Sequence, residues 1–161
     1  LDAAVHELEL EHWRRTLDVN LTGAFLTCKH ALRALLADGA DARGATITLI
    51  GSPAGAFGVE LGCHAYSASK GGVHGLARVM ASEYAARGIR VNVVVPGLVD
   101  TPINEGYLAT PEGELDVSTT IPLRRAGRPE EIAAMIAFLA SDDASYATGG
   151  LFTVDGGLTA I

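Results

Sequence analysis

The stretch Ala45-Thr46-Ile47-Thr48-Leu49-Ile50, closed off by Gly44 and Gly51, limits the fold more than any other part of the chain. It is rich in β-branched residues, which suit a pleated strand and are restrained on a helix. Bulk falls on both faces, the pattern of a central strand in a parallel sheet covered by helices on each side. Residues 89–95 and 151–155 predict two more strands. Between the first two runs lies a helical stripe of Val73, Leu76, Ala77, Met80 and Tyr84 that stops at Gly88, and between the last two a stripe of Ile132, Met135, Ile136 and Leu139. The second helix opens on Pro129 followed by two acids, a favourable first turn.

Upstream, Trp13, Leu17, Leu21, Ala24, Cys28, Leu32 and Leu35 line one helix face, with Gly39 as the expected stop. A second stripe of Phe25, Leu26 and Leu36 predicts that another surface, such as a second subunit, covers this helix as well. Gly71, Gly72 and Gly75 each weaken a helix by up to about 1 kcal/mol, so a close approach is expected there. Residues 103–120 show no period and are interrupted by Gly106, Pro111 and Gly113; they predict a mobile lid. Strand, helix, strand, lid, helix, strand is half of a doubly wound α/β sheet, and 161 residues fit a single domain.

A net charge of -7 argues against nucleic acid and against anionic membrane surfaces as partners. The longest apolar runs, residues 132–140 and 91–95, fall well short of the roughly 20 residues of a membrane span. Two cysteines, Cys28 and Cys63, make neither a disulfide framework nor a metal knuckle, which predicts a reducing cytoplasm. The five histidines lack ligand spacing such as His-Glu-x-x-His, so no metal is expected.

The chemistry gathers at Tyr66-Ser67-Ala68-Ser69-Lys70. Residues four apart on a helix are neighbours, which sets an ammonium beside a phenol. A tyrosine titrates near pH 10, and a cation a few ångströms away lowers such a value by roughly 1–3 units, toward use as a proton donor and acceptor near neutral pH. Ser52 stands at the carboxyl end of the first strand, where ligands bind in open α/β sheets.

Six fragments stand in order: Asp18-Val19-Asn20-Leu21-Thr22-Gly23, Gly51-Ser52-Pro53-Ala54-Gly55, the Tyr66 to Lys70 segment, Arg90-Val91-Asn92, Pro96-Gly97 with Thr101-Pro102, and Gly127-Arg128-Pro129-Glu130-Glu131. On these the chain resembles the short-chain dehydrogenase/reductase family over residues 13–157. The resemblance implies the C-terminal two-thirds of a Rossmann-like, doubly wound parallel sheet with helices on both faces. It implies an NAD(P)-dependent oxidoreductase that interconverts a secondary alcohol and a ketone. Asn20, Ser52, Tyr66 and Lys70 would be catalytic, with Tyr66 as acid and base; Tyr66, Lys70, Pro96, Gly97, Val99 and Thr101 would hold the cofactor, either NAD or NADP. The position of Asn20 matches an asparagine at a helix distortion that holds a water leading to the lysine. A small carbonyl or alcohol would be the substrate and a homotetramer, or a homodimer, the assembly.

The chain departs from the family in two places. Gly51 stands where many relatives carry a second serine, and Pro53 directly follows Ser52. No Gly-x-Gly occurs, so the phosphate-binding half is expected to lie outside these residues. Among other classes, a serine hydrolase on Ser52, His64 and Asp100 lacks the Gly-x-Ser-x-Gly elbow, and Ser67-x-x-Lys70 lacks the companion motifs of a β-lactamase. The remaining alternative is a truncated or degenerate scaffold of the same family that acts only through association.

Overall fold

The computed structural model describes residues 3–37, 40–58 and 62–160. The elements follow as α1 (Leu10–Leu17), a π-helical turn (Asp18–Thr22), α2 (Gly23–Leu35), β1 (Thr46–Ile50), α3 (His64–Tyr84), β2 (Arg90–Pro96), α4 (Glu105–Leu108), α5 (Pro111–Thr120), α6 (Pro129–Ala140) and β3 (Leu151–Val154). Short 3-10 turns follow β1 at Pro53–Gly55 and α3 at Ala85–Arg87. Gly39, the expected stop of the first long helix, lies outside the described residues.

The three strands form one parallel sheet in the order β1-β2-β3. β2 is central, and its alternation builds the core. Val91, Val93 and Val95 face one way, against Cys28 and Leu32 of α2 and Ala77, Met80 and Ala81 of α3. Val94 faces the other way, against Leu139 of α6 and Ala144. Helices therefore cover both faces. Burying each of these larger side chains is worth roughly 1.5–3 kcal/mol, so β2 is held by apolar packing on both of its faces. The one polar side chain in the middle of β2 is partnered at both of its polar atoms: Asn92 Nδ2 donates to Ala147 O at 2.7 Å, and its Oδ1 accepts from Gly150 N at 3.1 Å.

Among the described residues β1 pairs on one side only, with β2. Within this chain it is an edge strand: Thr46 to Leu49 are only half-buried and Ile50 is exposed. Bulk on both faces describes what a strand is suited to be covered by, whatever covers it here.

Residues 103–120 also differ from the irregular lid expected of them. They form α4 and α5, joined by a cap in which Thr110 Oγ1 accepts from Gly113 N at 3.0 Å and Pro111 opens the helix. Gly113 is no helix breaker there. A Cβ at that position would collide with the Tyr107 carbonyl, so glycine lets the two helices meet. The expected close approaches in α3 are found at two glycines of three: Gly72 leaves room for Leu21, Gly71 lies against the Gly55 carbonyl, and Gly75 faces open space.

α3 runs on into the 3-10 turn at Ala85–Arg87, and that turn stops at the expected Gly88, whose φ of 78° is left-handed and suits glycine. The pairing of Ile50 with Val94 brings the carboxyl ends of β1 and β2 side by side, and the candidate residues gather at that end.

Candidate active site

Asn20 sits in the π-helical turn between α1 and α2, where Gly23 N reaches back five residues to Asp18 O. Such single-turn insertions bulge the backbone and recur at functional sites. The distortion expected at Asn20 is therefore present. Its Nδ2 donates to Ser69 Oγ at 3.1 Å, and the fully buried Ser69 hydroxyl donates to Tyr66 O at 2.7 Å. A chain of two hydrogen bonds thus ties the bulge to the first turn of α3.

On α3, Lys70 Nζ lies 5.6 Å from the centre of the Tyr66 ring, within reach of a cation–π contact. Tyr66 is 38% exposed and borders the cavity beside the π-helical turn. The Lys70 ammonium donates to Ile50 O at 3.0 Å, which moors it to the tip of β1. Partial burial pushes its pKa below the ordinary lysine value, because a low-dielectric setting disfavours the charged form.

Ser52 follows β1 in extended conformation and caps the Pro53–Gly55 turn, its Oγ accepting from Ala54 N at 3.3 Å. Among the described residues nothing takes the hydroxyl proton, so it is free to donate. Its backbone N–H points at His74 Nε2, 3.4 Å away. His74 is buried, and desolvation, together with the cations Arg78 and Lys70, pushes its pKa below the ordinary histidine value. Sequence reasoning finds no part for His74. The signal that could have found it is the glycine on each side of the Ser52-Pro53-Ala54 segment, since those two glycines leave the space the ring fills.

Pro96, Gly97, Val99 and Thr101 follow one another at the tip of β2. Gly97 is required by packing, since a Cβ there would come within 2.8 Å of Asp155 Cα. Val99 is pinned by a bridge to Gly127 and by Asn104, whose Nδ2 donates to Val99 O at 2.8 Å. Thr101 Oγ1 donates weakly to the same carbonyl at 3.4 Å. A cavity of about 400 Å³ opens between α1, the π-turn and the start of α3, lined by Asn20 and Tyr66 together with His12, Arg15, Thr16 and Cys63. Ser52 does not line it. The structure thus joins Tyr66 to Lys70 and to Asn20, and Lys70 to the strand tip that carries Ser52. Among the described residues no cluster of His, Cys, Asp and Glu could hold a metal, and no helix is long and apolar enough to cross a membrane.

A parallel sheet covered on both faces, with a tyrosine–lysine pair and a serine at the carboxyl ends of its strands, defines a Rossmann-like α/β protein. The profile of a family described as enoyl-(acyl carrier protein) reductase matches residues 1–159. The chain belongs to the short-chain dehydrogenase/reductase family. It is 46% identical to the cis-4-hydroxycyclohexanecarboxylate dehydrogenase of Sinomonas cyclohexanicum, over 99% of this chain and 61% of that protein. Among solved structures it is similar to an Agrobacterium tumefaciens protein provisionally assigned as a 2-deoxy-D-gluconate 3-dehydrogenase, solved with bound NADP. That match has a TM-score of 0.92 and 34% identity over 100% of this chain and 64% of the neighbour. A protein of Thermus thermophilus matches with a TM-score of 0.86 and 36% identity, over 100% and 66% of the two chains. The chain therefore spans 61% of the length of its curated relative and corresponds to the C-terminal part of these folds.

Proposed function

We propose that this chain is the catalytic portion of an NAD(P)-dependent oxidoreductase that interconverts a secondary alcohol and a ketone. The observation that carries this reading is the Tyr66–Lys70 pair on the first turns of α3, with Lys70 moored to the β1 tip and Tyr66 tied through Ser69 to the Asn20 bulge.

The residues suit the nicotinamide–ribose end of a dinucleotide. A lysine ammonium has three protons, and the Ile50 carbonyl accepts one; the others match the hydroxyls of a ribose. Pro96, Gly97, Val99 and Thr101 would border the nicotinamide at the tip of β2. When bound, the nicotinamide supplies or takes up the hydride. Tyr66 would give its proton to the carbonyl oxygen in reduction and take it back in oxidation. The free Ser52 proton would form a second hydrogen bond to that oxygen. Both bonds strengthen as negative charge builds on oxygen, so they lower the barrier rather than merely bind the ground state. Lys70 would favour the ionised phenol, and Asn20 would anchor the proton relay.

Residues 1–161 would form the C-terminal two-thirds of one domain, with α4 and α5 (residues 103–120) covering the substrate. Of the acids there, Asp116 is taken by the Tyr107 hydroxyl at 2.9 Å. Exposed Phe25 and Leu26 on α2 support a homotetramer or homodimer, and cysteine usage supports a cytoplasmic location. The names of the relatives make cis-4-hydroxycyclohexanecarboxylate and 2-deoxy-D-gluconate the first alcohols to assay, each with NAD and with NADP.

The test is Tyr66→Phe in the complete protein, followed by NADH and NADPH fluorescence titration and by turnover of the better alcohol. Cofactor binding should persist while turnover falls by about a hundredfold or more. Turnover near that of the parent would remove Tyr66 from the reaction.

A further inference from the structure

His74 lies one helical turn beyond Lys70, buried beneath the Ser52 turn, and takes no part in the chemistry above. Its fit there is specific. A Cβ on Gly51 would overlap Nε2 and come within 2.9 Å of Cδ2, and a Cβ on Gly55 would come within 2.8 Å of Cε1. Close-packed interiors do not tolerate such overlaps, so this ring requires glycine at both positions. Gly51 is also the position at which the chain lacks the second serine of many relatives.

The Ser52 N–H meets Nε2 at 3.4 Å, and the preceding N–H, on Gly51, donates to Val94 O at 2.8 Å. The serine is thus held at its own amide, at the amide before it, and through Oγ at the Ala54 amide. An accepting Nε2 carries no proton, which places the proton of the neutral ring on Nδ1. Charging the ring would make Nε2 a donor and set two N–H groups against each other. The residues of β1, the following turn and β2 gathered at this slot, Gly51, Ser52, Gly55 and Val93, carry no titratable group. The charges acting on the ring are Arg78 and Lys70, both on α3 and both opposed to its protonation.

We propose that His74 is a positioning residue: through an unprotonated Nε2 it fixes the Ser52 main chain, and with it the direction in which the Ser52 hydroxyl donates. This rests on the reading of Ser52 as a donor to the reacting oxygen. It predicts a dependence on pH of its own, because protonation of His74 turns Nε2 into a donor and releases the Ser52 amide.

Two variants of the complete protein separate the possibilities. His74→Gln offers a neutral acceptor at every pH, and His74→Leu offers similar bulk with none. By NMR, the parent imidazole should be the Nδ1–H tautomer, and the Ser52 amide resonance should move with the His74 titration. Hydrogen exchange at the Ser52 amide should accelerate about threefold to tenfold in His74→Leu and recover in His74→Gln, as expected for one hydrogen bond. With the better of the two alcohols above, His74→Leu should lower kcat roughly tenfold while leaving the cofactor dissociation constant unchanged. The fall of kcat on acidification at the His74 midpoint should be absent from His74→Gln. An Nε2–H tautomer, or a Ser52 amide that ignores the His74 titration, overturns the proposal even if His74→Leu fails to fold. Full turnover in Ser52→Ala would defeat the Ser52 reading instead, and the amide measurements would still decide whether His74 anchors this turn.

Discussion

Replacing Gly55 by alanine should separate two elements that the site needs in contact. The added Cβ would lie 2.7 Å from the Lys70 carbonyl carbon, 2.8 Å from Gly71 N and 2.8 Å from His74 Cε1. Ordinary contact begins near 3.4 Å, so α3 and the Pro53–Gly55 turn must part by about 0.7 Å, the difference between 3.4 and 2.7. Two of the three opposing atoms belong to the helix backbone and cannot rotate away. Overpacking of this kind costs about 1–3 kcal/mol, a roughly 5- to 150-fold loss in the folding equilibrium. The same displacement stretches the contacts of His74 with Ser52 and of Lys70 with Ile50, so activity should fall along with stability. Gly75→Ala, on the same helix, is the control: nothing lies within 4 Å of its added Cβ, and it should stabilise by about 0.5–1 kcal/mol by removing a helix glycine. Urea midpoints of both variants in the complete protein measure the contrast. A Gly55→Ala protein as stable as its parent, or no less stable than Gly75→Ala, would refute the close packing of α3 on the serine turn.

Lys70→Met should weaken NADH or NADPH binding as well as turnover, and an unchanged dissociation constant would contradict the ribose role. Because burial sets the Lys70 pKa below 10.5, cofactor binding should begin to fail at a lower pH than a free lysine would dictate, which titrations across alkaline pH would show. Ser69→Ala should cut the link between the Asn20 bulge and α3, lower stability by about 1 kcal/mol and accelerate hydrogen exchange in residues 18–22. The Glu131 carboxyl, held to about 2 by the Arg125 guanidinium and the Arg128 amide, binds its proton less readily folded than unfolded. Its stabilisation is complete above pH 4.5 and disappears as pH falls toward 2, so Glu131→Gln should flatten acid unfolding followed by circular dichroism in that window.

The strands are legible because β-branched runs between glycines leave few options, and α3 and α6 because their apolar spacing is unbroken. Tyr66 and Lys70 can be paired from helical spacing alone. Asn20, by contrast, needs the resemblance, since nothing in Asp18-Val19-Asn20 announces a π-turn. α4 and α5 escape because Gly106, Pro111 and Gly113 look like breaks. Thr110-Pro111 is in fact a cap followed by a first helical residue, and Gly113 serves a contact between helices. His74 escapes because a lone histidine on a helix says nothing until the backbone it touches is known.

Lys70 also sets a limit on what can line up beside β1. Gly51 N points to β2, bonding Val94 O, and a planar trans peptide turns the Ile50 carbonyl the opposite way, toward the outer side of the strand. The ammonium occupies that carbonyl. A neighbouring strand can zip along β1 from Thr46 but meets a plug at the last rung, so its ladder must end short of Ile50. The end of that ladder would lie beside the serine turn, at the same side chain to which the proposed chemistry assigns the ribose.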